Sequence, residues 1–163
     1  MGHLPSSRER VELVEAVARA GVDLAIWGRG WEKLEDGYRA RARQRGLTLL
    51  PAARVADAYR AAKVVLNAHH VQMREGPNMR AFEIPAAGAF QLSDYKVCMD
   101  ELFTVGEEIA VYRGPEDLVE RLRRYLADED GRRAISAAGR RRVLRDHTYQ
   151  IRMRQLVERA LEA

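Results

Sequence analysis

The sequence predicts an α/β fold: a single three-layer α/β/α domain over 1–163, with a parallel sheet of about five strands. Three observations carry this expectation. Short apolar runs alternate along the chain with longer stretches of helical periodicity. The runs are continuous rather than alternating, as strands covered on both faces require. The 163 residues suffice for one core of ordinary size, and no repeat, low-complexity tract or linker divides them.

Each element has its own local signals. Residues 6–20, SSRERVELVEAVARA, place Val11, Val14 and Val17 at helical spacing, with Ser6 or Ser7 as the expected cap and Gly21 as the stop. VDLAIWG (22–28) is bounded by glycines and reads as a buried strand. GRGWEKLEDGYRARARQRG (28–46) is polar and broken by Gly37, so a loop and a helix are expected there. LTLL (47–50) reads as the second strand, ended by Pro51. RVADAYRAAK (54–63) reads as a helix and VVLNA (64–68) as a buried strand. A helix over about 78–87 follows, then strands AFQLS (89–93) and EIAVY (108–112). Three helices close the chain, at 115–128, 129–146 and 148–163, with Pro115 in a first turn and Asp128 and Thr148 as caps.

Composition narrows the function classes. No apolar run approaches the ~20 residues that span a bilayer, and MGHLPSSRER lacks the apolar stretch of a secretion signal. The single cysteine, Cys98, excludes an internal disulfide and reads as a buried thiol rather than a nucleophile. These features favour the cytoplasm. The net charge is +4, with 25 Arg against 3 Lys, and a basic chain attracts phosphate-bearing partners. A GC-rich genome is itself enough to enrich arginine, and many of these arginines alternate with Glu and Asp as on solvated faces.

In an open α/β sheet, ligands sit beyond the carboxyl ends of the strands. One loop there is Gly28, Arg29 and Gly30, whose glycines permit close backbone approach and whose arginine can meet an anion; the third glycine of a dinucleotide fingerprint is missing. The other is HHVQMREGPNMR (69–80). Gly76 and Pro77 make its turn, and Asn78 can cap the next helix. Arg80 in that first turn opposes the helix dipole unless an anion is present, which points to a phosphate site at 78–80. Glu83, one turn on, can accept hydrogen bonds from ribose hydroxyls, or pair with Arg80 at i, i+3. Glu75, before the turn, can take the hydroxyls of a second sugar. His69 and His70 with Glu75 invite a metal, but adjacent residues at a strand end point apart, so none is expected.

The stretch REGPNMRAFEIPAAGAF (74–90) resembles the paired carboxylates, E-x7-E, of retaining group 1 glycosyltransferases of the GT-B fold. LNAHH, NMRAFEIPAAGAFQLSDY, ELFTVGEEIAVYR and AAGRRRVLRDHTYQIRMRQLV further resemble the spore maturation (CgeB-like) branch, from residue 22 to about 157. Such enzymes pair two Rossmann-like domains, and this chain looks like the C-terminal one, with the N-terminal acceptor domain absent. The resemblance implies a nucleotide-diphosphate sugar as donor and a hydroxyl acceptor. By it, Glu83 takes the ribose, Glu75 the transferred sugar, and Asn78, Met79 and Arg80 with Gly28, Arg29 and Gly30 the diphosphate. The base lies near Pro51 and Arg54. No metal or other cofactor is implied, because backbone amides and Arg or Lys offset the leaving diphosphate charge. The family's E-G-F-G turn is EGPN here. Without its first domain the chain is expected to transfer nothing.

A lipid-linked acceptor or an anionic membrane surface fits the basic charge, which would place the chain at the inner membrane face. A competing reading is a non-catalytic module whose Arg-rich helices hold nucleotide or nucleic acid. Aromatics for base stacking are few there, so nucleic acid is not expected. A receiver-like signalling domain fails, because no acidic cluster ends VDLAIWG and no Asp ends VVLNA.

Overall fold

A computed structural model describes residues 8–27, 42–46, 52–70, 73 and 75–162. Strands and helices alternate in the expected order. Helix α1 is Arg8–Arg19, and strands β1 and β2 are Leu24–Trp27 and Ala42–Gly46. Then come α2 (Ala52–Ala61), β3 (Val65–Asn67), α3 (Arg80–Ala86) and β4 (Gln91–Asp94). A short α4 (Met99–Leu102) and β5 (Ala110–Tyr112) precede α5 (Pro115–Ala127), α6 (Glu129–Asp146) and α7 (Tyr149–Leu161).

Every strand pairing is parallel, but among the described residues the strands form two ladders rather than one sheet. β1 pairs with β2, and β4 lies between β3 and β5. The second strand is also displaced from its expected place. β2 occupies ARQRG, inside the stretch expected as loop and helix, while 47–50 lies outside the described residues. Hydrogen bonding to β1 overrides the polar composition there, since apolar pattern reports burial and not pairing. β1 is less buried than its composition implies. Ile26 is covered, but Trp27 remains 38% exposed.

The three-stranded ladder is covered on both faces. Leu92, Ala110 and Tyr112 turn toward Val17 of α1 and Leu118, Leu122 and Tyr125 of α5. Val111 turns the other way, toward Ala81 of α3, Met99 of α4 and Val143 of α6. This alternation follows from the two-residue period of a strand. The α3–α6 contact is close at Gly139, where an added Cβ would collide with the Glu108 carbonyl and stand 3.4 Å from Pro85 Cβ.

The helix ends follow local chemistry. Asp128 accepts from Gly131 N at 2.8 Å, Thr148 accepts from Ile151 N at 3.3 Å, and Pro115 opens α5. Gly21, at φ +74°, ends α1. Gly88, at φ +80°, ends α3 in a Schellman motif: Ala89 N donates to Ile84 O at 3.2 Å and Gly88 N to Pro85 O at 2.8 Å. Cys98 precedes α4 and is half-exposed rather than buried; desolvation still pushes its thiol pKa up, so it is no activated nucleophile.

Candidate functional site

The carboxyl ends of β3 and β4 carry a network of polar side chains, and two asparagines form its centre. Asn67, the last residue of β3, is fully buried, and Asn78 is nearly so. Their amides bond reciprocally: Asn78 Nδ2 donates to Asn67 Oδ1 at 2.8 Å, and Asn67 Nδ2 donates to Asn78 Oδ1 at 3.1 Å. Asn78 Oδ1 also accepts from Ala81 N at 3.1 Å, which is the expected cap of α3. Arg80 Nε donates to Asn67 Oδ1 at 3.3 Å. The start of α3 is thereby fixed to the end of β3, and Arg80 with it.

A second guanidinium arrives from the other face of the sheet. Helix α1 runs back along the sheet, so its first turn lies at the carboxyl edge of the strands. Arg10 Nη2 there donates to Ala68 O at 2.6 Å, while its buried Nε has no protein partner. Burial lowers the Arg10 pKa, and nearby Arg80 lowers it further; Asp94 and Tyr112 act against both. Two like charges thus approach one another at a strand end. Close by, His69 Nδ1 and the Asp94 carboxylate are hydrogen-bonded, and Asp94 Oδ1 also accepts from His69 N at 2.9 Å. Lys96 Nζ stands 3.7 Å from the other Asp94 oxygen. Burial, and then Asp94, raise the Tyr112 hydroxyl pKa far above its usual range, keeping it neutral.

The residues expected from sequence distribute around this network. Glu83 is exposed on the second turn of α3, out of the core. No Arg80–Glu83 ion pair forms among the described residues; Arg80 turns to Asn67 instead. Beside them is Tyr59 of α2, whose hydroxyl pKa rises through burial and then the Glu83 charge, against a smaller opposing effect of Arg80. Glu75 and Gly76 are exposed before the turn, and Met79 is 58% exposed. Arg54 is exposed near the start of α2. Gly28, Arg29, Gly30 and Pro51 lie outside the described residues.

Asn67, Arg10, Tyr59 and Asp94 escaped the sequence reading, and His69, weighed there only as a metal ligand, bonds to Asp94. Asn67 ends an apolar run, and a polar residue there is the one signal that could have marked it. Chemically, the shelf offers two cations for a dianion and an exposed carboxylate one helical turn away for hydroxyls. Two concavities among the described residues, of about 510 and 390 Å³, lie along α6, one by Glu108 and Arg142 and the other by Lys63 and Arg140. No helix described is long and apolar enough to cross a membrane.

A profile of the glycosyl transferase-like family matches residues 8–158. Among solved structures, the fold is similar to sucrose-phosphate synthase from Thermosynechococcus elongatus, with a TM-score of 0.73 at 20% identity. That alignment covers 96% of this chain and 43% of that one, so the chain spans less than half the length of its structural relative. No relative is found among curated proteins.

Proposed function

Since the chain belongs to the glycosyl transferase-like family and has the parallel α/β architecture of one half of a GT-B fold, we propose that it is the donor-binding domain of a glycosyltransferase. Its ligand is a nucleotide-diphosphate sugar, whose sugar passes to a hydroxyl acceptor. The observation that carries this reading is the approach of Arg10 and Arg80 at the carboxyl end of β3. Two guanidiniums brought near one another repel, the Asp94 carboxylate offsets less than Arg80 imposes, and a diphosphate relieves the remainder with charge-assisted bonds to both.

The remaining roles are those that the resemblance to group 1 glycosyltransferases implies. Glu83 accepts from the ribose hydroxyls, and Tyr59 flanks it. Glu75, across the Gly76–Pro77 turn, accepts from the transferred sugar. Arg29, Gly28 and Gly30 complete the diphosphate pocket, and Pro51 and Arg54 border the base. During transfer the glycosidic bond to the diphosphate breaks, and negative charge grows on the leaving oxygen. Fixed guanidiniums stabilise that charge without reorganising. No metal is required for this step.

The cleft is completed by a second Rossmann-like domain. Helix α7 has no buried residue and exposes Tyr149, Met153, Leu156 and Val157. Tyr149 Oη lies 3.8 Å from Met79 Sδ, so this apolar surface is continuous with the start of α3. A domain seated there would face the donor and present the acceptor. The chain alone binds donor weakly and transfers nothing, because transfer needs both substrates positioned together. The finer placement is the CgeB-like branch, in the cytoplasm, with a lipid-linked acceptor at an anionic membrane surface.

Calorimetric titration with UDP and GDP tests the site. Binding of one of them, weakened at least about tenfold by Glu83→Ala, is the expected result. If neither nucleotide nor any nucleotide sugar binds, the assignment fails.

A further inference from the structure

A second basic surface lies at the opposite end of α3 from the donor shelf. Gly88, Ala89 and Phe90 lead into β4 there, and Lys63 leads toward β3, with Val65 N donating to Phe90 O at 2.9 Å. The groove between them, of about 390 Å³, sits at the amino ends of the strands. Arg60 and Lys63 form one wall, Arg133 and Arg140 of α6 the other, and Ala89 and Phe90 contribute a buried apolar floor. Arg132 also lines it, but its guanidinium is tied to the Tyr125 and Leu126 carbonyls at the end of α5.

The charges in this groove are not balanced. Among the described residues Glu129 is the only carboxylate lining it, and it is 2.5 Å from Arg133. Arg60 is 2.5 Å from Asp57 on its own helix. Lys63 has no ion-pair partner among the described residues. Arg140 Nε donates to Ala86 O at 3.3 Å, and the residue lines the groove. The Arg140 side chain runs beside Gly88, 3.6 Å from where a Cβ there would stand, an ordinary packing distance. One guanidinium is thus held by a helix terminus on one wall, with an unpaired ammonium on the other.

We propose that this groove binds a phosphate-bearing ligand, held between Lys63 and Arg140. The shared chemistry is a phosphoryl dianion, carried either by a soluble phosphate compound or by a phospholipid headgroup. A point-charge donor on one side and a planar fork on the other suit its several oxygens. This inference stands independently of the donor-site reading, because no residue of the groove belongs to the shelf.

The test is an NMR titration of the full chain with inorganic pyrophosphate at low ionic strength, where exposed charges are least screened. The amides of Gly88, Ala89 and Ser136 are expected to shift, and to do so equally in Arg80→Gln. Lys63→Gln, an exposed change with no ion pair to break, should weaken the groove affinity by about fivefold, and Lys63→Gln with Arg140→Gln by more. Arg141→Gln with Arg145→Gln removes the same charge elsewhere on α6 and should leave it unchanged. Sedimentation with phosphatidylglycerol vesicles separates the sources. Vesicle binding that is lost in Lys63→Gln with Arg140→Gln and displaced by pyrophosphate assigns a headgroup; groove shifts without vesicle binding assign a soluble phosphate. Equal weakening by both double variants, or no shift at the groove together with vesicle binding that the groove variants leave intact, overturns the proposal.

Discussion

Asn67 and Asn78 exchange two hydrogen bonds across the end of the sheet, one at 2.8 Å and one at 3.1 Å. Both side chains are buried, so each supplies the partner that the other could not obtain from water. Asn78→Ala leaves Asn67 Nδ2 without its acceptor and Asn67 Oδ1 with Arg80 alone, and it removes the side-chain cap from Ala81 N, which keeps the Asn78 carbonyl. The loss of stability should be about 2–4 kcal/mol, combining an unsatisfied buried group with a lost cap. In urea unfolding, the double change Asn67→Ala with Asn78→Ala should cost less than the sum of the two single ones. Additive losses would mean the pair is not coupled.

Arg10 should matter for ligand charge and not for ligand shape. Arg10→Gln is expected to weaken nucleoside diphosphate binding about tenfold, the worth of one charge-assisted bond, and to flatten its salt dependence. Binding of the uncharged nucleoside should change little. Comparing the two by calorimetry distinguishes a phosphate contact from general damage to the site.

Gly139 marks where α6 comes closest to the rest of the domain. Gly139→Ala places a methyl group against the Glu108 carbonyl and Pro85. Backbone cannot yield there as a flexible side chain would, so a loss of about 1–3 kcal/mol is expected from overpacking. The denaturation midpoint should fall with no change in slope. Gain in helix propensity on replacing Gly offsets at most about 1 kcal/mol of this.

His147 couples α6 to α7 in one protonation state. Its Nε2–H donates to Leu102 O at 3.0 Å, and its Nδ1 accepts from Arg152 Nη2 at 2.7 Å. The ring also packs against Phe82 and Phe103, at centroid distances of 5.2 and 5.6 Å. Burial lowers its pKa, and Arg152 and Arg142 lower it further, against the Leu102 bond and Asp146. The unfolded chain therefore binds the proton more readily than the folded one. This contribution to stability is present above about pH 6.5, the ordinary histidine value, and is lost as pH falls toward the lower folded pKa. Thermal melts of the wild type should drop over that interval more steeply than those of His147→Gln.

The elements readable from sequence were those fixed by local chemistry. Pro115, Asp128 and Thr148 act on backbone within one turn, and the helices they start lie within a residue or so of their expected bounds. β2 was not readable, because ARQRG has no apolar pattern; its strand character comes from pairing with β1. Arg10 lies on what reads as the solvated side of an amphipathic helix. Only the return of α1 across the sheet brings it to Ala68, and no spacing rule encodes that return. The Asn78 cap was legible because it acts on backbone within one turn. Cys98 was read as buried from its type alone, whereas its place before α4 leaves it half-exposed.

Gly88 ends α3 at φ +80°, a backbone conformation that residues with a side chain rarely adopt. An added Cβ would meet Arg140 only at 3.6 Å, an ordinary contact, so backbone conformation and not space reserves the position for glycine. The same residue lines the basic groove. A lineage that gave up the glycine would therefore re-shape the groove's rim through the helix end, while the start of α3 stays moored by the Asn67–Asn78 pair.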